Sequence, residues 1–230
     1  MPANAYLVAG LRSPIGGFGG TLRPLRATEY GSAVAAEVLQ RHGVQPEAVQ
    51  RVIGGMVLQD MTESNPARIV SQRLGIPDAV PAFTVNMQCC SSMLALILAS
   101  QQVALEEIDC ALVLGLESMS NAPHMVPGSR WGFRNGDGQF LDTLKECTLA
   151  GSRMWDDPRY MIDVAENHAK VDGFSREEMD EYAVVSHQRA LAAIDDGRLR
   201  DEIVPIEVPQ RRGGSKTFAE DEPPRRDISV

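Results

Sequence analysis

The sequence predicts an α/β fold, a mostly parallel sheet flanked by helices over residues 1–118, followed by a less regular inserted segment over 119–230. Three observations predict it. Strand-like and helix-like segments alternate along the first half, the pattern of a parallel sheet with helices on both faces. The segment Cys110-Ala111-Leu112-Val113-Leu114-Gly115-Leu116 is an almost unbroken apolar run, as a strand covered on both faces requires. From Met119 onward the periodicity is lost for some forty residues.

Ala5–Leu11 reads as the first strand. Thr28–His42 is amphipathic, with Ala33, Ala36, Val38 and Leu39 apolar, and Gly43 placed to end it. Arg51–Leu58 is a second strand. Asn65–Leu74 is a helix with Pro66 in its first turn and Gly75 at its end. Ala82–Met87 is a third strand. Ser92–Leu105 is a helix apolar nearly all round, which implies burial on all sides. Asp109–Leu116 is the fourth strand. Loops at the C-terminal ends of such strands are the expected ligand site.

Residues 119–160 are rich in Gly, Pro, Met, Asn and Trp and have no clear period, a composition that marks functional or flexible segments. A helix over 162–170 follows. A second begins at Arg176, with Ser175 and Glu178 as a capping box, Met179, Tyr182, Ala183, Ala190, Ala193 and Ile194 as its apolar face, and Gly197 as its stop. The end, 211–226, is polar and turn-rich, and no internal repeat is found.

The most informative stretch is Val85-Asn86-Met87-Gln88-Cys89-Cys90-Ser91-Ser92-Met93. It joins the third strand to the all-apolar helix through a short turn. A cysteine there lies near free helix N–H groups and the positive end of the dipole, which favour a thiolate nucleophile. Space-filling by a buried cysteine is the competing use.

This segment is similar to the thiolase active-site motif V-N-x-x-C-[AG]-S-G, with Cys89 at the nucleophile position. Cys90 takes the small-residue position, and Ser92 stands where the family has glycine. Further resemblances follow in family order. They are Arg12-Ser13-Pro14-Ile15-Gly16 with Phe18-Gly19-Gly20, Asn65-Pro66-Ala67-Arg68, and Gly115-Leu116-Glu117-Ser118-Met119-Ser120-Asn121-Ala122-Pro123. Met161 to Asn167, Ser175 to Gln188, and Asp201-Glu202-Ile203-Val204-Pro205 complete the set.

The resemblance implies a thiolase-like N-terminal α/β domain with a CoA-binding loop domain inserted in it. It implies Claisen-type acyl transfer between acyl-CoA thioesters, with Cys89 as acyl acceptor and its backbone N–H as an oxyanion donor. Arg225 matches a family arginine near the coenzyme A adenine and phosphates, and Met161 a methionine lining the pantetheine channel. A solvated tail arginine and a helical core methionine are the plain alternatives. The family motifs N-E-A-F, G-H-P and C-x-G-x-G do not occur, so the C-terminal thiolase domain is absent from this sequence. The expectation is therefore the nucleophile-bearing subunit of a split thiolase. A second polypeptide would supply the histidine and second cysteine, in an assembly with two copies of each chain. A degenerate, non-catalytic half kept as a binding or scaffold protein is the alternative. No tightly bound cofactor is expected, only coenzyme A or acyl-CoA as substrate.

Composition narrows the classes further. A net charge of −9 argues against a nucleic-acid partner. The four cysteines, Cys89, Cys90, Cys110 and Cys147, show no C-x-x-C pair and no metal-ligand spacing, which with no signal peptide suggests a reducing cytoplasm. The longest apolar stretch is too short to span a membrane. Gly16, Gly17, Gly19 and Gly20 do not form a phosphate-loop motif, and turn packing is the expected role. Glu117 and Asp60, near strand ends, are expected to make structural hydrogen bonds. The scattered His42, His124, His168 and His187 read as surface or packing residues.

Overall fold

The computed structural model describes residues 4–150 and 159–230. The chain forms two compact units. One comprises 1–121 and 199–223, the other 122–198 and 224–230. The sequence reading placed the division at 118/119 and kept 199–223 with the second part.

In the first unit, helix α1 (Ala27–Arg41), strand β1 (Arg51–Gly55), helix α2 (Pro66–Arg73), strand β2 (Ala82–Val85), helix α3 (Ser91–Ala104) and strand β3 (Ala111–Gly115) follow in order. The sheet is parallel, ordered β2-β1-β3, with Ile53 opposite Phe83 and Val113. Alternation along the strands sends Val52, Leu112 and Leu114 to one face, where they pack with Ala35, Leu39, Ala67 and Val70 of α1 and α2. Ile53 goes to the other face, with Ala95 and Ala99 of α3. Val52, Ile53 and Val70 are fully buried, each stabilising by about 1.5–3 kcal/mol through transfer from water.

Caps follow the sequence signals. Gly43 and Gly75, just past α1 and α2, have φ of +64° and +70°, the left-handed conformation that ends helices. Asn65 caps α2, its Oδ1 accepting from Arg68 N at 3.3 Å and its Nδ2 donating to Ala82 O at 3.0 Å. Arg68 donates to the carbonyls of Val80 and Asp78, so the Asn-Pro-Ala-Arg run fastens α2 to the entry of β2.

Two expectations are corrected. Ala5–Leu11 forms no strand. Tyr6, Leu7 and Val8 stay exposed without a ladder partner among the described residues, and only Arg12 makes a parallel bridge, with Ile203. Among the described residues the sheet therefore has three strands, not four. Helix α3 is buried on one face only, with Met93, Leu96 and Ile97 exposed among the described residues. The polar end also holds more order than its composition suggests. Strands β8 (Ile206–Pro209) and β9 (Ser215–Phe218) form an antiparallel hairpin, and Ile206 and Val208 pack on Leu25.

Among the described residues the second unit carries short strand pairs and three α-helices. Strand β4 (His124–Met125) pairs with β5 (Leu141–Asp142), and β6 (Leu149–Ala150) with β7 (Arg159–Tyr160). Helix α4 (Thr143–Cys147) separates β5 from β6, and α5 (Met161–Asp172) and α6 (Arg176–Asp195) follow β7. Part of the irregular 119–160 stretch, 151–158, lies outside the described residues. The capping box of α6 is present, with Glu178 N donating to Ser175 Oγ at 3.1 Å. The first half of its apolar face is exposed among the described residues, at Met179, Tyr182 and Ala183, while Ala190, Ala193 and Ile194 are half-buried. No helix of the described residues is long and apolar enough to cross a membrane.

Candidate active site

Strand β2 ends at Val85 because the next residue turns the chain with its side chain. Asn86 Oδ1 accepts from Gln88 N at 2.9 Å, and Asn86 Nδ2 donates to Val57 O at 3.3 Å. Gln88 then takes φ +52°, a conformation that L-residues with a side chain adopt at a cost of about 1 kcal/mol. Two successive turns follow, Cys90 N to Met87 O and Ser91 N to Gln88 O. Buried Ser91 locks them, its Oγ accepting from Met87 N at 2.9 Å and donating to Gln88 O at 2.6 Å. Cys90 is the N-cap of α3, and Cys89 sits one residue earlier. Both thiols are free and exposed.

The sheet makes room for this turn with two glycines. A Cβ on Gly55 would lie 2.4 Å from Ser91 C and Ser92 N, so only glycine lets the start of α3 press on the end of β1. A Cβ on Gly115 would meet Ser92 Oγ at 2.8 Å. Ser92, where the related motif carries glycine, thus spends its hydroxymethyl group against Gly115.

Several motif residues turn out to brace this end of the sheet. The Glu117 carboxylate accepts from Val57 N and Leu58 N at 3.0 and 3.1 Å, which ends β1 and leaves this acid committed to backbone. Tyr30 donates to the Glu117 carbonyl, and burial pushes its hydroxyl up to about 12. Asn121 Nδ2 reaches Leu25 O at 2.9 Å, and Ser120 Oγ takes Gly19 N at 2.8 Å. Asp60 caps a short turn through Thr62 N, which with Arg26 holds its carboxyl below the usual range. A small cleft between Arg26, Met56, Asp60, Glu63, Ser118 and Asn121 excludes Cys89, and its charged walls are already paired, Arg26 to Asp60 and Glu63 to Thr28.

The glycine loop has an occupant of its own. Glu222 accepts from Gly17 N at 2.7 Å, Thr21 N at 3.2 Å and Thr21 Oγ1 at 2.8 Å. Beside it, Asp221 receives a two-pronged hydrogen bond from Arg12, at 2.7 and 2.9 Å, and another from Ile15 N at 2.8 Å. Partial burial opposes ionisation of both acids, and these donors outweigh it, so both carboxyls titrate below their ordinary range. Sequence reading missed this pair. The signal was two adjacent acids in a tail whose fold could not be read.

Met161 and Arg225 lie in the second unit, each placed within it. Met161 opens α5, half exposed, its N–H donating to Thr148 O at 2.8 Å. Arg225 N donates to His187 Nδ1 at 3.1 Å, and Arg226 forks onto Asp195 at 3.1 and 2.8 Å. His187, read as a packing residue, is therefore an anchor for the backbone at Arg225. Among the described residues no group of three or more His, Cys, Asp or Glu could hold a metal ion.

With this geometry in view, the comparisons with known proteins converge. Residues 5–230 match the thiolase N-terminal domain. An acetyl-CoA acetyltransferase of Allochromatium vinosum is 43% identical over 227 residues, which are 98% of this chain and 56% of that protein. A probable acetyl-CoA acyltransferase of Staphylococcus aureus is 38% identical over 99% of this chain and 57% of its own length. The crystal structure of the Bacillus anthracis acetyl-CoA acetyltransferase superposes with a TM-score of 0.93 at 37% identity, covering 99% of this chain and 57% of that one. Human mitochondrial 3-ketoacyl-CoA thiolase gives 0.88 at 36%, covering 96% and 55%. The chain spans about half the length of the relatives it matches. It belongs to the thiolase family and has the fold of that family's N-terminal domain.

Proposed function

We propose that the chain is the nucleophile-bearing subunit of a two-subunit thiolase that moves acyl groups between acyl-CoA thioesters in the cytoplasm. The direction is acetoacetyl-CoA synthesis or 3-oxoacyl-CoA thiolysis. The observation that carries this reading is the exposed, free Cys89 on the turn between β2 and α3. In the proposed reaction the Cys89 thiolate attacks the thioester carbonyl and coenzyme A leaves as its thiol. The carbanion of a second acyl-CoA then attacks the acyl-enzyme and frees Cys89. The Cys89 N–H serves the oxyanion, while Arg225 and Met161 meet the coenzyme A moiety. The acid–base histidine and second cysteine come from a partner chain, in an assembly with two copies of each. Two features support a partner: Met93, Leu96 and Ile97 of α3, and the apolar Tyr6-Leu7-Val8, all exposed among the described residues and forming surfaces of the kind that mark interfaces.

The test is acyl labelling of the reconstituted enzyme. A short acyl-CoA leaves its acyl mass on the peptide with Cys89, and Cys89→Ala abolishes both label and turnover. Label that survives Cys89→Ala and is lost in Cys90→Ala removes Cys89 from the role. Full thiolysis by residues 1–230 alone removes the partner.

A further inference from the structure

The established relationships say nothing of Cys90, and the turn gives it a chemistry with its neighbour. We propose that Cys89 and Cys90 form a reversible redox site, a vicinal dithiol that peroxide closes to a Cys89–Cys90 disulfide.

Both cysteines are free and exposed. They are sequence neighbours, so the thiol that would resolve an oxidised Cys89 stands on the next residue. The other cysteines are poorer targets. Cys147 donates its thiol hydrogen to Leu144 O at 3.0 Å. Cys110 is part-buried, and burial, with Asp109 beside it, pushes its thiol up, which withholds the thiolate.

The step balances with peroxide as the named oxidant. One thiolate attacks a peroxide oxygen, the O–O bond breaks, and a sulfenic acid and hydroxide result. The neighbouring thiol attacks that sulfur, an S–S bond forms, and the sulfenic oxygen leaves as water. In sum, two thiols and one hydrogen peroxide become one disulfide and two waters.

The same geometry makes the bond easy to undo. Adjacent Cα atoms stand about 3.8 Å apart across a trans peptide, short of the roughly 4.4–6.8 Å that disulfides prefer. The backbone has little freedom to relieve this. Ser91 Oγ holds Met87 and Gln88, and the start of α3 rests on Gly55. A strained, exposed disulfide is readily reduced, so the site serves as a switch and not as a staple. The dithiol chemistry stands independently of acyl transfer; only its effect on turnover rests on the Cys89 reading.

The test uses the full chain, reduced, treated with near-stoichiometric hydrogen peroxide, alkylated, digested and weighed. The peptide holding Cys89 and Cys90 should lack two hydrogens and escape alkylation, and reduced glutathione should restore both thiols. In Cys90→Ala, and equally in Cys90→Ser, dimedone should instead trap a sulfenic acid on Cys89. A wild-type peptide with Cys89 over-oxidised and Cys90 still alkylated would overturn the proposal, as would a disulfide between two chains or full alkylation of both thiols.

Discussion

The glycine loop at 15–21 and the cysteine turn at 86–91 are built from similar parts and end up differently. Each is a tight turn held by a side-chain oxygen that gathers backbone groups. In the loop that oxygen is the Glu222 carboxylate, which takes the N–H groups a ligand anion would use. In the turn it is the Ser91 hydroxyl, which satisfies Met87 N and Gln88 O from beneath and leaves both thiols exposed. The region whose glycines look like a binding site is closed by the protein itself. The region with no glycine of its own is open, because the glycines that shape it, Gly55 and Gly115, sit on the strands below.

The largest expected effect comes from removing that support. Gly55→Ala places a Cβ 2.4 Å from the backbone of Ser91 and Ser92, where no side chain can yield, and should cost about 3 kcal/mol or more. Gly115→Ala meets only Ser92 Oγ, at 2.8 Å, so it should cost less and be rescued by Ser92→Gly. Urea unfolding of the single and double variants checks both. Equal losses for Gly55→Ala and Gly115→Ala would show that the turn does not depend on the strand glycines as described.

The loop side of the comparison is tested by acid. Asp221 and Glu222 titrate below their ordinary values of 3.8 and 4.5, so their contribution is complete above about pH 4.5 and is lost as pH falls through the lower, folded values. Glu222→Gln together with Asp221→Asn should flatten that acid limb, and at neutral pH lower stability by roughly 1–2 kcal/mol, since Glu222 is exposed and only Asp221 is largely buried. Thermal melts between pH 2.5 and 7 read the difference, and an unchanged acid limb would sink the account.

Ser91→Ala should have the smallest effect on stability, about 1 kcal/mol, from one lost hydroxyl bridge. Its effect on Cys89 should be larger than its effect on the fold. Alkylation rate at Cys89 by a small electrophile should change several-fold while the melting temperature falls by only about 2–4 °C. A change in melting temperature alone would make Ser91 a structural residue and nothing more.

Much of this contrast was legible in the sequence, and the reasons for the gaps are specific. Helices α1 and α2 show their stops directly, since Gly43 and Gly75 are local signals, and α3 shows itself as a continuous apolar run whose buried face could not be told from its exposed one. Placing Cys89 at a strand-to-helix turn needed only the neighbouring apolar runs. The motif around Glu117 was recognisable, and its carboxylate serves the backbone as expected. What could not be read was non-local. Ala5–Leu11 has the composition of a strand, but a strand also needs a neighbour, and none pairs with it among the described residues. Glu222 looks like any acid in a polar tail until the fold returns it to Gly17, 205 positions away. The hairpin β8–β9 has too few apolar residues to announce itself, and only Ile206 and Val208 are fully turned inward.

The bond between Arg12 and Asp221 spans 209 residues, and it has a consequence in time. During synthesis β1, α2, β2, α3 and β3 are complete by residue 115, and all their pairings are local enough to form at once. The N-terminal loop must wait until another hundred residues have emerged before its carboxylates exist. The first unit is therefore assembled in two acts, a sheet first and a clasp much later, with the second unit made in between. In refolding the carboxylates are present from the start, and the separation in sequence alone predicts the same order, so pulsed hydrogen exchange should show Val52 N–H protected well before Ile15 N–H, and simultaneous protection would show that this separation does not delay the clasp. The earliest residues of the chain are among the last to find their partners.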